Sequence, residues 1–135
     1  MAITLNNQDK LTLQTAAHGA VYLMAYAAVA HSPHRAATNG SFALYSATGQ
    51  VGHVLAEKPK GMKLNGKSTA EIADEVLPAL TAAMELLKKQ DLAEADNFRS
   101  TVVVAVEAAA QTRNAQPSPA LAEMARKITQ AVDAA

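Results

Sequence analysis

His18, Tyr22 and Tyr26 recur every four residues in the first third of the chain. That spacing lines them up along one side of a helix. Such a line can be a polar strip in an apolar cavity that binds a small ligand, with His18 as a base or metal ligand. It can equally be three amphipathic core residues, each with one satisfied hydrogen bond. Buried, paired histidines and tyrosines are common, which favours the plainer reading.

His53 and Glu57 form a second pair, at the i, i+4 spacing where helical side chains meet. A divalent metal can be held that way, but four-helix carboxylate sites repeat Glu-x-x-His on two helices. Neither that motif nor His-Glu-x-x-His occurs, so a surface or interface pair is expected and no metal site is assigned. His31 and His34 bracket Ser32-Pro33 beside Arg35. Without Cys or carboxylate partners they read as a solvated turn rather than a ligand set.

Lys58, Lys60, Lys63 and Lys67 concentrate positive charge in one segment. No aromatic residue is interleaved to stack on a base, and no arginine is present for bidentate contacts. The letters from Gly61 to Ser68 match Gly-x-x-x-x-Gly-Lys-Ser. A phosphate-binding loop of that kind needs a strand before it and a parallel sheet around it, and helical patterns flank this one. It reads as a chance match. No Gly-x-Ser-x-Gly elbow marks a serine nucleophile.

Composition narrows the setting. The chain has 135 residues, a usual size for one domain, and the whole of 1–135 reads as a single helical domain. Half of it is hydrophobic, much of that alanine, while aromatics are 4%. Small side chains let helices approach closely. Twelve basic and twelve acidic residues cancel, which argues against attraction to nucleic acid or acidic membranes and removes charge repulsion between copies. With no cysteine, disulfides, thiolate catalysis and Cys-based metal sites are excluded. Met1 to Asn6 lack the basic start and apolar run of a secretion signal, so a cytoplasmic protein is expected. Residues 11–34 carry no Asp, Glu, Lys or Arg, yet they are interrupted by Thr12, Gln14, Thr15, His18 and Gly19. A buried central helix is expected there, not a membrane span.

The elements follow from periodicity and caps. The first helix is expected from about Asn7 to Ala30, capped by Asn6 with Asp9 in its first turn, and apolar all round. After a turn region at Ser32-Pro33 and Asn39-Gly40, a second helix is expected from Ser41 to Glu57, with Leu44, Val51 and Leu55 inward. Ser68-x-x-Glu71 opens a third, with Pro78 inside it and Lys88 and Lys89 at its end. A fourth starts after Asp91, with Ala95, Phe98, Val102, Val106 and Ala109 inward. Ser118-Pro119 announces a fifth with the stripe Leu121, Met124, Ile128 and Val132. The fold class is therefore all-α, a bundle of four principal helices plus a C-terminal fifth.

The leading functional reading is a non-catalytic protein that acts through self-association or partner binding, with a homodimer expected. Phe42, Tyr45, Gly49, Gly52 and His53 lie away from the Leu44–Leu55 stripe of the second helix, and close helix crossing would explain two glycines in mid-helix. The alternative is a small-ligand or metal-binding protein using His18, Tyr22, Tyr26 and His53. An enzyme on the same residues is a third reading. No cofactor and no nucleic-acid or membrane partner is expected.

Overall fold

A computed structural model describes residues 4–27, 33–57, 68–110 and 119–135, with backbone alone at 33–36. Among the described residues there are six helices and no strand, so the all-α class holds. No helix among them is long and apolar enough to cross a membrane.

Helix α1 (Asn7–Ala27) starts where its cap predicts. The Asn6 Oδ1 accepts from the Asp9 amide at 2.8 Å, and the Asp9 carboxylate accepts from the Asn6 amide at 3.2 Å. This reciprocal pair satisfies donors that the first turn leaves open. α1 packs against every other helix, and its stretch Ala16–Val21 is buried throughout. Gly19 makes room for Val76, whose methyl would lie 2.4 Å from any added Cβ. The expectation that α1 is covered all round needs correction, because Tyr22 and Tyr26 open to solvent.

The expected second helix is two. α2 runs over Pro33–Tyr45 and α3 over Gly49–Ala56, with a link at 46–48. Proline at the first helical position suits α2, since that amide has no helical acceptor in any case. Asn39 and Gly40 lie inside α2 rather than in a turn. Gly40 is there because Val21 occupies the place of a side chain, with both methyls 2.9 Å from a built Cβ. The break comes at Thr48, which is extended, followed by Gly49 at φ +75, a backbone that costs little only for glycine. Leu44, Val51 and Leu55 are fully buried as their stripe requires.

α4 (Thr69–Gln90) opens with the Ser68 Oγ accepting from the Glu71 amide at 3.2 Å. It continues through Pro78, which faces solvent. A single residue, Asp91, joins it to α5 (Leu92–Ala110), and its Oδ1 accepts from the Ala93 amide at 2.9 Å. Val102–Val104 stay helical within α5, whose buried line includes Ala95, Phe98, Val102, Val106 and Ala109. α6 (Pro119–Asp133) buries Leu121, Met124, Ile128 and Val132. Its last turn is tied down by Thr81 of α4, donating to the Ala131 carbonyl at 2.7 Å, and by Arg99 of α5, which forks onto Asp133 at 2.7 and 3.2 Å. Those Arg99 hydrogen bonds hold the Asp133 carboxyl below its ordinary pKa.

Candidate functional site

The candidate side chains divide into two sets around the short helix α3 and the α1–α2 hairpin. An eight-residue helix leaves most of its terminal amides and carbonyls without helical partners. Side chains from other helices supply them. At the N-terminal end, the Glu94 carboxylate of α5 accepts from the amides of Gln50 at 3.2 Å and Val51 at 3.4 Å. Asn97 donates to the Thr48 carbonyl at 2.8 Å and to Glu94 at 3.3 Å, which fixes the carboxylate. At the C-terminal end, two α1 side chains one turn apart receive consecutive carbonyls. Gln14 donates to Val54 at 3.1 Å, and His18 Nε2 donates to Leu55 at 3.2 Å. The helical donor for the Leu55 carbonyl would be residue 59, a proline, which has no N–H.

His18 is 9% exposed, and because its partner is a carbonyl, the neutral ring must carry its proton on Nε2. Burial pushes its pKa below the ordinary 6.5, and the Leu55 carbonyl opposes the shift only in part. The sign for stability follows. The unfolded chain binds a proton on this ring more readily than the folded one. The contribution of neutral His18 is therefore complete above pH 6.5 and declines as pH falls through that value toward the lower folded pKa. His18→Ala leaves a buried carbonyl without a donor, and a loss of about 1–3 kcal/mol is expected. Urea denaturation at pH 7.5 and pH 5 checks both statements, and a variant as stable as wild type at pH 7.5 would contradict the first-order role of this hydrogen bond.

The expected line of His18, Tyr22 and Tyr26 runs from a buried end to an exposed one. Tyr22 and Tyr26 are 49% and 45% exposed. Phe42 and Tyr45, on α2, are 68% and 58% exposed. The His18 ring lies 6.1 Å from that of Tyr45, tilted by 53°, and Val21 meets Gly40. α1 and α2 therefore run antiparallel, so Tyr22 and Tyr26 follow His18 along α1 in the direction in which Phe42 precedes Tyr45 on α2. Four of the five aromatic residues of the chain are thus exposed on the first two helices, and Phe98 alone is buried. Reading each helix separately placed these aromatics in two different roles. The sign that unites them is that both pairs, at i, i+4 and i, i+3, lie on consecutive helices.

Of the other candidates, His53 projects into solvent, 81% exposed, with Nε2 3.7 Å from Glu57. Glu57 also meets Lys10 of α1 at 3.5 Å. The three edge a shallow cleft of about 600 Å³ with Thr4, Leu5 and Gln50, and His53 is not brought to His18. Ser46 donates to the Phe42 carbonyl at 2.9 Å rather than to a histidine. Among the described residues, no three His, Cys, Asp or Glu side chains could hold a metal. His31, the His34 side chain and the lysine-rich segment 58–67 lie outside the described residues.

The two glycines expected at an interface have reasons within the chain. A Cβ on Gly49 would sit 2.9 Å from Glu94 and would force a strained backbone. A Cβ on Gly52 would sit 2.3 Å from the Ala47 carbonyl oxygen. They are not mid-helix residues of one long helix. Gly49 begins α3, and Gly52 is buried where the link folds over it.

Fold and surface together define an all-α bundle with four exposed aromatic side chains on its first two helices. Comparison with protein-family models, with curated proteins and with solved structures finds no match for this chain.

Proposed function

We propose that this protein works without catalysis, by self-association through the aromatic face of α1 and α2. The observation that carries the reading is the exposure of Tyr22, Tyr26, Phe42 and Tyr45 in a chain with only one other aromatic residue. Single exposed apolar residues are ordinary, but a cluster of large ones marks a binding surface. Tyrosine and phenylalanine are the types enriched at interfaces.

The occupant is a second copy. An aromatic side chain offers about 150–250 Å² when fully covered, so these four present roughly 400 Å² per copy at their present exposure. That is about half of what each partner contributes to a standard interface, and the surrounding hairpin surface supplies the rest. A net charge of zero puts no general repulsion between copies. One two-fold axis uses the same patch twice and closes the assembly. The reading keeps Phe42 and Tyr45 from the sequence expectation, adds Tyr22 and Tyr26, and no longer rests on Gly49 or Gly52. Location in the cytoplasm belongs to the proposal as the simplest home for a cysteine-free chain. The ligand-binding alternative is weakened because His18 Nε2 is engaged by the Leu55 carbonyl.

Sedimentation velocity on wild type and on Phe42→Glu tests it. Wild type is expected to be a dimer at micromolar concentration, and the variant a monomer with an unchanged helical circular dichroism spectrum. A wild type that stays monomeric at high concentration, or a variant that dimerises as well as wild type, refutes the reading.

A further inference from the structure

We infer that protons and the second copy compete through His18, so that acid loosens the self-association of this protein. The inference rests on the self-association reading and concerns the regulation of that same face. Its basis is position. Tyr45 is one of the exposed aromatics, and the buried ring of His18 lies against it, with centroids 6.1 Å apart. The ring is fixed there by its hydrogen bond to the Leu55 carbonyl, so it cannot swing freely aside.

A copy seated on Tyr45 would bring further protein surface close to the His18 ring and withdraw it further from water. An imidazolium needs that water more than a neutral imidazole does. Covering the face therefore disfavours the charged ring, and by linkage a charged ring disfavours covering the face to the same degree. Among the described residues, little else faces His18 to counter this. On α1 its neighbours along the line are Gln14 and Tyr22, and on α2 it meets Tyr45. α3 presents the Leu55 carbonyl, while its own titratable groups His53 and Glu57 stand together at the surface with Lys10. α4 brings Val76 against the adjoining Gly19. Among the described residues, burial and the Leu55 carbonyl are the influences that move the His18 pKa, with no charged side chain contributing.

The size of the effect has a ceiling. Between the His18 pKa of the monomer and the lower one of the dimer, each ring changes the dissociation constant by up to about tenfold per pH unit, and a two-fold dimer has two rings. The experiment measures the wild-type dimer dissociation constant by sedimentation equilibrium from pH 7.5 down to the lowest pH at which circular dichroism shows the fold intact. It is repeated with His18→Gln, which keeps an amide donor but cannot take up a proton. His31, His34 and His53 are present in both proteins and so cancel. A rise of about threefold or more on acidification, absent in His18→Gln, is expected. A flat constant, or a rise that persists in the variant, overturns the inference while leaving self-association standing. Should the variant not fold, the His18 ring resonance in wild type decides. Its pKa must be lower in concentrated than in dilute protein, and equal values overturn the inference. A wild type that is monomeric at every pH removes the self-association reading itself, and this inference with it.

Discussion

Replacing Phe98 by alanine is expected to remove about 3–5 kcal/mol of folding stability. Phe98 has no exposed surface, and it sits in the buried line of α5 that includes Ala95 and Val102. Its neighbours along that line are small, and it is the one aromatic in a core otherwise of alanine, valine, leucine, methionine and isoleucine. Small neighbours fixed on helices cannot collapse far into the space a benzyl group leaves, so the cavity term adds to the lost transfer energy. Domains of this size are stable by about 5–15 kcal/mol, so the variant is left near the edge of folding. Phe42→Ala is the matching control. Its ring is largely exposed, and the stability of the monomer should change by no more than about 0.5 kcal/mol. Urea denaturation at a dilution that favours monomers compares the two. Equal losses for both would mean that the exposed face is part of the fold itself and not a surface kept for a partner.

Gly52→Ala is expected to be nearly as damaging, at about 3 kcal/mol, although alanine is the better helix former by about 1 kcal/mol. The added Cβ would lie 2.3 Å from the Ala47 carbonyl oxygen and 2.5 Å from its carbon. The obstacle is backbone, not the tip of a flexible side chain, so no rotamer change relieves it. The link at 46–48 would have to shift, and with it the Thr48 carbonyl that Asn97 holds. A calorimetric midpoint at or above that of wild type would show that this link moves aside freely and that the packing argument is wrong.

Local signals made much of the fold legible. Asn6 with Asp9 and Ser68 with Glu71 mark helix starts within a few residues of sequence, and the structure uses both pairs. The stripe Leu121, Met124, Ile128 and Val132 is buried on α6 as its period demands. The division of the second helix was not legible, because its cause is distant. Ala47-Thr48-Gly49 is a mild interruption by itself, and what holds the new N-terminus is Glu94 and Asn97, more than forty residues away. Asn39-Gly40 misled for a similar reason. The pair is a good turn former, but here Gly40 is selected by Val21 across a helix crossing. For the candidate site, periodicity put His18, Tyr22 and Tyr26 on one line but could not say where cover ends along it. His18 falls under α3 and Tyr45, and the two tyrosines beyond it do not.

The four side chains that grip α3 couple its formation to other helices. Isolated helices shorter than about 12–15 residues are marginal in water, and α3 has eight. Its amides wait on Glu94 and its carbonyls on Gln14 and His18, which belong to helices on either side of it in sequence. Until α1 and α5 stand in their final places, those donors and acceptors are not aligned, and the segment gains nothing by coiling. Formation of α3 is therefore coupled to the docking of α1 and α5 around it. α3 is thus a short helix whose two ends depend on side chains from α1 and α5, and its stability is tied to theirs.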